Sequence, residues 1–549
     1  MTVTIEKIRA SVIGDGMLFN TVFGSKPMIY ADYTASGRSL TFIEQAINQH
    51  VLPFYANTHS ETSYTGKQST QYREQARAAI HSALNTGEKH KVIFAGSGAT
   101  AAINKLIDML NMRIPAELNG QYKFESKIEE ADKPVVFIGP YEHHSNELPW
   151  RESIATLVTI PLNAEGMIDT EYLEQQLQKY QGRSRLIGSF SAASNVTGLK
   201  TDVKKVSTLL HKYSAMSCWD YAAAAPYVGI DMQGDELDAV FISTHKFIGG
   251  PGTPGLLVVN GDYLHNSVPA VPGGGTVMFV TPKTHTFIDN IERREEGGTP
   301  SIVESIRAGL VFNLQQKIGT QKIESLEHSY IQRAMQQLSR LDNFEILGST
   351  TASRLSILSF NIKHNNSVLH YGFVVALLND IFGIQARGGC SCAGPYGHEL
   401  LDLSIADSEA IEGQLHEGYM VLRPGWTRLN FNYFIDEQTF EYIIGALTLV
   451  AQHGWRLLAS YQFNQKLGTW EYVGGGTVST LTLDDLLDPA VLSSEAPQSV
   501  SSNDLTAYLV QAEEILMAAQ ANNISEPLKL SAAAEELRWF ALPEISSAS

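Results

Sequence analysis

A lysine set between a hydrophobic run and a glycine-proline loop carries the densest chemistry in this chain. Ser243-Thr-His245-Lys246-Phe-Ile-Gly-Gly-Pro-Gly252 follows the apolar, β-prone residues 237–242. A lysine held in a dry cleft at a strand end gives up part of its proton affinity, which frees an amine to form an imine. Ser243 and His245 flank it with donors suited to a phosphate, and the glycines let backbone approach closely. A solvated turn lysine is the plain reading of any lone lysine after a strand, but Lys246 has company. Asp220 follows the apolar residues 216–219, and Glu142-His143-His144 forms an acidic-imidazole cluster.

Gly96-Ser-Gly98-Ala99-Thr100 follows a short β-prone run and opens a helical stretch. Backbone N–H groups at a helix start, with the Thr100 hydroxyl, make an anion cup. The same letters fit a dinucleotide fingerprint, as do Gly250-Pro-Gly-Thr-Pro-Gly255, but that pattern alone is weak and the prolines argue against a helix at the second site. Arg387-Gly-Gly-Cys390-Ser-Cys392 is a glycine-rich loop in which an arginine favours the ionised thiol. It is a poor zinc site, lacking Cys-x-x-Cys spacing and a second pair. Adjacent His143 and His144 cannot both face one ion from a helix or strand, so no metal is expected. Arg428 offers a guanidinium fork, open both to a bidentate carboxylate partner and to an ordinary surface pair, and Ser194-Asn195-Val-Thr-Gly198 reads as a turn with Asn and Gly at their usual places.

In this order the segments resemble the class V aminotransferase and cysteine desulfurase family of pyridoxal-phosphate (PLP) enzymes over roughly residues 28–460. The resemblance implies an α/β protein of the PLP-dependent transferase fold type I. A large domain with a mostly parallel sheet would be followed by a smaller C-terminal α/β domain. It implies that Lys246 is the Schiff-base lysine and that Gly98, Ala99, Thr100, Ser243 and His245 hold the phosphate. Asp220 would keep the ring nitrogen protonated so that the ring accepts electrons, while His143 stacks on the ring and shuttles protons. Asn195, Arg387 and Arg428 would bind the substrate, Asn195 and Arg428 at its carboxylate. Arg387 precedes Cys392 by the spacing found before the sulfur-accepting cysteine of desulfurases, although Ser391 stands where histidine is commonest. The Cys-x-Cys loop is also similar to that of molybdenum-cofactor sulfurases. Ala223 replaces the family's usual glutamine, so the donor to the ring's phenolic oxygen must come from another group or from water. Thr299, in Glu296-Gly-Gly-Thr299-Pro300, would reach the neighbouring subunit's PLP phosphate, giving a homodimer with a shared site. The implied activity removes sulfur or selenium from L-cysteine or L-selenocysteine, giving alanine and an enzyme persulfide for a sulfur-acceptor protein. A class V aminotransferase or another PLP-dependent lyase is the alternative, since one scaffold supports several chemistries.

The elements that must position these residues are legible as alternation. Residues 71–84 have helical spacing, 92–94 read as a buried strand and 100–110 as a helix. Further β-prone runs lie at 134–138, 155–160, 186–190, 216–219, 239–242 and 256–259, with helical stretches at 170–180 and 203–213. Such alternation predicts a mostly parallel sheet with helices on both faces, and ligands at the carboxyl ends of strands. Helices at 302–318 and 323–341 lead into a second α/β unit with β-prone runs at 344–347 and 355–360 and helices near 369–381 and 437–457. The expected division is a PLP-binding domain over 1–300, with residues 1–30 packing on the small domain. The small domain covers 301–460 and carries the Cys loop, and a C-terminal extension covers 461–549. In that extension 493–503 reads as a linker or exposed loop, and 506–522 and 528–540 as short helices.

With 549 residues, 44% of them hydrophobic, the chain can bury a large core. A net charge of −18 argues against nucleic acid or anionic membrane as partners. No apolar run approaches the ~18 residues of a transmembrane helix, and the start lacks a basic-then-apolar signal peptide. Three cysteines are too few for a disulfide framework and suit a reducing cytoplasm.

Overall fold

The computed structural model describes residues 3–58, 60–474, 481–494, 497–519 and 528–543. A seven-stranded sheet forms the centre, built from β1 (His90–Ala95), β2 (Val135–Ile138), β3 (Thr156–Thr159), β4 (Leu186–Ser191), β5 (Met216–Asp220), β6 (Ala239–Ser243) and β7 (Gly255–Asn260), in the order β1-β7-β6-β5-β4-β2-β3. Strands β2 to β6 pair in parallel, so their carboxyl ends meet at one edge, with Ser191 opposite Asp220 and Asp220 opposite Phe241. The sheet is mostly parallel, as expected, with strand β7 alone running antiparallel to its neighbours β6 and β1. The reason is local. No crossover helix separates Ser243 from Gly255, and without one the chain must turn back.

Side-chain alternation along the strands builds two cores. Phe94, Val240, Ile242 and Val258 pack with helices Tyr64–Ala83, Val203–Lys212 and Ile302–Ile318. Ile93, Phe241, Leu257 and Val259 face helix Gly98–Met109 on the other side. Helices Tyr64–Ala83 and Ile302–Ile318 touch where Gly309 meets Ala76, and a Cβ on Gly309 would lie 2.5 Å from it. The first of these helices starts a turn and more before the predicted residue 71, capped by Ser63, whose hydroxyl accepts from Gly66 N at 3.2 Å. Its extra residues carry no apolar stripe. They bury only Gly66 and Ser69; further along, within the predicted span, buried Arg73 and Arg77 pair with Glu296, whose Oε1 accepts from Phe94 N at 2.8 Å.

The second sheet runs β8 (Phe344–Ile346), β9 (Ile357–His364), β12 (Trp426–Asn430), β11 (Arg387–Gly389), with β10 (Ser367–Val368) on β9. It packs on helices Thr320–Leu338, Tyr371–Phe382 and Glu437–His453. The N-terminal strand Ile29–Tyr30 pairs in parallel with Ile384–Gln385, and Ile29 and Ala31 lie in this core. Helix Ile405–His416 and the hairpin Tyr461–Asn464/Thr469–Tyr472 were not expected. The hairpin's alternation is short, and it survives by burying Phe463 and Trp470.

The expected 506–522 helix is Leu505–Ala518, with Ala512 and Leu516 buried; residues 520–522 lie outside the described residues. The expected 528–540 helix contracts to Ala532–Glu536, because Trp539 and Phe540 leave it to pack around His370. In the stretch read as a linker, residues 495 and 496 lie outside the described residues. The rest is exposed but not detached: Leu18 N donates to Gln498 O and Val500 N to Gly16 O, both at 2.8 Å. Among the described residues no helix is long and apolar enough to cross a membrane.

Candidate active site

A cleft of about 660 Å³ opens at the carboxyl edge of the large sheet. Gly98, Ala99, Thr100, His143, Asn195, Asp220, Ser243, His245, Lys246, Arg387, Cys392 and Arg428 all line it. Of the residues singled out in the sequence, Thr299 lies elsewhere, exposed, its hydroxyl accepting from Asn57 Nδ2 at 3.2 Å.

Backbone geometry at β1 and β6 explains one wall. Gly98 has φ +59°, and a Cβ there would sit 2.9 Å from both Ser243 Oγ and the His245 ring. A Cβ on Gly255 would fall 2.0 Å from Gly98 O. Glycine is therefore required at both positions for the loop to nest against the strand ends. Ala99 N donates to Ser243 Oγ at 2.9 Å, and Thr100 Oγ1 pairs with Ser145 Oγ at 2.6 Å. The result is a helix N-terminus fringed by hydroxyls, a ready anion cup.

Lys246 closes a short 3-10 turn, Thr244–Lys246, after β6. Thr244 Oγ1 donates to Pro254 O at 2.6 Å, and Gly37 N to His245 O at 2.8 Å, so both sides of the turn are braced. Burial pulls the Lys246 ammonium down to about 8, opposed by the Asp220 carboxylate. Asp220 is itself pushed up by burial, against the Ala222 N–H at 2.7 Å and Lys246.

The adjacent histidines have different surroundings. Burial, with the Lys246 charge, holds His143 down at about 3, so its ring is neutral near pH 7. Its Nδ1 accepts from Ser145 N at 3.1 Å, which leaves the proton on Nε2. His144, expected to be a packing or helix-entry residue, does open the short 3-10 helix His144–Asn146, and it also grips the Cys loop: its N–H donates to Cys392 O at 2.8 Å, and its Nε2 accepts from Gly394 N at 3.0 Å. Buried Glu142, pushed up to about 7 by its burial, accepts from Ser191 N (2.9 Å), Ser191 Oγ (2.7 Å) and Asn146 Nδ2 (2.7 Å), tying the histidine loop to the end of β4.

Cys392 is exposed and Cys390 half-buried. Ser391 and Cys392 both have left-handed backbone, φ +54° and +56°. Asn195 Nδ2 donates to Ser391 O at 2.9 Å, and Arg428 Nη1 to Asn195 O at 2.9 Å. Arg428 is buried, and burial lowers its proton affinity against the pull of Asp32. Asp32 is the residue that the sequence reading missed. Its signal was available, since it follows the apolar residues 28–31 much as Asp220 follows 216–219. Ala223 lines the cleft with a methyl group and brings no donor there.

These residues fit a phosphorylated ring aldehyde. The glycine cradle leaves room for a phosphate where a Cβ would intrude, and a carboxylate and a depressed lysine share the same cleft. The profile of the family described as aminotransferase class-V matches residues 29–405, and the chain belongs to that family. A probable cysteine desulfurase from Halalkalibacterium halodurans is 29% identical over 373 residues, covering 67% of this chain and 85% of the relative. Among solved structures, the apo cysteine desulfurase from Thermococcus onnurineus NA1 matches with a TM-score of 0.63 at 22% identity, over 77% of this chain and 95% of that one. The S-sulfonic acid form of the Escherichia coli cysteine desulfurase CsdA matches with a TM-score of 0.63 at 21% identity, over 82% of this chain and 99% of that one. At those identities the structural matches establish the shared fold, which is the α/β fold of PLP-dependent transferases of fold type I.

Proposed function

We propose that the chain is a PLP-dependent cysteine desulfurase that takes sulfur from L-cysteine, or selenium from L-selenocysteine, and releases alanine. The observation that carries this reading is the opening of Lys246, Arg428 and Cys392 onto one cleft, in a chain whose curated relatives include probable cysteine desulfurases. PLP, when bound, supplies an electron sink that labilises bonds next to the substrate's α-carbon.

The chain's own residues do the rest. Lys246 Nζ holds the cofactor and, with its depressed proton affinity, moves protons near neutral pH. Gly98, Ala99, Thr100, Ser243 and His245 would hold the phosphate. Asp220 would keep a proton at the ring nitrogen, and His143, with its own proton on Nε2, would pack against the ring. Arg428, steadied by Asn195, orients the substrate carboxylate. Cys392 Sγ, as thiolate, bonds to the substrate sulfur as the carbon–sulfur bond breaks. That bond's electron pair stays with the carbon fragment, which takes up a proton and leaves as alanine, while Cys392 keeps the persulfide for a thiol of an acceptor protein. Incubating the purified holoenzyme with L-cysteine should give alanine and, with a reducing thiol, sulfide in equal amounts. No alanine above a Lys246→Ala control would overturn the reading.

We further propose a homodimer with a shared site. Support comes from exposed apolar residues: Phe54 and Tyr55, two or three positions from the Asn57 that meets Thr299, and Met278, Phe279 and Val280 on another segment. Exposed apolar clusters of this kind suit a protein partner, and a second copy is the partner whose cleft Thr299 would complete.

A further inference from the structure

Asp32 sits between the two arginines that the cleft offers to a carboxylate. Its Oδ1 accepts from Arg428 Nη2 at 3.0 Å, and its Oδ2 from Arg387 Nε at 3.0 Å. The arrangement is built by three strands. Arg387 and Arg428 are directly opposite in the β11–β12 pair. The residue before Asp32 is locked to both of their neighbourhoods, with Ala31 N donating to Gln385 O at 3.0 Å and Asn430 N to Ala31 O at 2.9 Å. The Asp32 side chain is 13% exposed and that of Arg428 3%, whereas Arg387 is 48% exposed. Arg428 is thus fixed from two sides, by Asp32 and by the carbonyl of Asn195. Arg387 is held on its cleft-lining face by the Asp32 carboxylate.

We propose that Asp32 determines which amino acids the cleft accepts, by leaving the arginine pair with a single net positive charge. Two guanidiniums against one carboxylate match one substrate α-carboxylate and a neutral side chain such as a thiol or selenol. Without Asp32 the pair carries two uncompensated charges, and Arg387 is free to turn toward a second carboxylate on the substrate. Such a pair would favour dicarboxylic amino acids, because charge-assisted guanidinium–carboxylate bonding is strong in a partly desolvated cleft. Asp32 acts through the arginines and touches no reacting atom, so it is a specificity residue. The inference rests on the reading of Arg428 as the substrate-carboxylate arginine.

The test compares binding of propionate and succinate to the holoenzyme by titration calorimetry, in wild type, Asp32→Asn and Asp32→Glu. Asp32→Asn should raise the affinity for succinate relative to propionate by about tenfold, the worth of one further 1.4 kcal/mol contact. Asp32→Glu should keep the wild-type ratio, and adding Arg387→Ala to Asp32→Asn should erase the gain. If wild type binds propionate and L-cysteine but Asp32→Asn leaves the ratio unchanged, the inference falls and the function stands. If Arg428→Ala binds propionate as well as wild type does, the assignment of Arg428 falls, and the inference with it.

Discussion

His144 holds Cys392 by its backbone: the His144 N–H donates to the Cys392 carbonyl at 2.8 Å. Two residues further along the loop, Gly394 N donates to the His144 ring at 3.0 Å. The loop between carries two consecutive non-glycine residues in left-handed backbone, a conformation that costs on the order of 1–3 kcal/mol per residue and persists only where surrounding bonds impose it. His144 supplies two such bonds and Asn195 a third, to Ser391 O. The paired histidines thus divide their work, one lining the cleft and the other setting the pose of the thiol.

His144→Ala should therefore loosen Cys392 while leaving cofactor binding intact. Losing one hydrogen bond of about 0.5–1.5 kcal/mol predicts a roughly 2- to 12-fold faster reaction of Cys392 with iodoacetamide. Turnover should fall at unchanged KM for L-cysteine. Equal alkylation rates in wild type and variant would show that the loop is held by other means.

The buried lysine gives a pH dependence with a defined sign. Lys246 in the folded chain loses its proton at about 8, below its ordinary value of 10.5. Between those values the unfolded chain binds more protons, so the apoprotein's stability gains from rising pH across that window. Uptake of PLP by apoprotein, which needs the neutral amine, should accelerate through a midpoint near 8. Asp220→Asn should shift the midpoint lower, because it removes the anion that favours the ammonium. A midpoint above 10 in wild type would place Lys246 in water. Lys246→Ala should show no borohydride-fixed cofactor by mass spectrometry.

Most of the cleft was legible because its residues announce themselves by type and position: a lysine before glycines, an aspartate ending a strand, a glycine pair opening a helix. What escaped depends on contacts between distant segments. Asp32 carries the same local signal as Asp220, but its arginine partners come to it only when Ile29–Tyr30 joins Ile384–Gln385, a pairing that no local pattern reveals. His144 looked like a packing residue because its partners, Cys392 and Gly394, lie some 250 positions away. The antiparallel turn of β7 could have been foreseen from the missing crossover helix, whereas the start of helix Tyr64–Ala83 could not, since its first turns bury only Gly66 and Ser69 and carry no apolar stripe.

The two cysteines should separate sharply. Cys392→Ala should still bind PLP and L-cysteine, by absorbance titration, yet release little alanine from cysteine. Selenocysteine should be less affected, since selenium leaves more readily. Cys390, half-buried, should tolerate alanine with a milder loss. Undiminished alanine release from cysteine by Cys392→Ala would rule out the sulfur-acceptor role and favour a transaminase, in which a keto acid restores the starting form of the cofactor.

Sedimentation equilibrium should give twice the mass of the chain. Thr299→Ala should weaken PLP retention if its hydroxyl reaches a neighbouring subunit's phosphate. A monomer with full activity at assay concentration would reject the shared site.

The bonds joining Gly16 and Leu18 to Val500 and Gln498 have a mechanical consequence. They clasp residues 16–18 to residues 498–500, joining stretches of chain that lie about 480 positions apart. Gly16 N also donates to Met28 O at 3.0 Å, just ahead of the strand that leads to Asp32, so residues 498–500 brace the stretch that presents this carboxylate. A stop codon after residue 460 would remove that clasp, and with it Phe463, Trp470, Leu516 and Phe540 from the core beneath the second sheet.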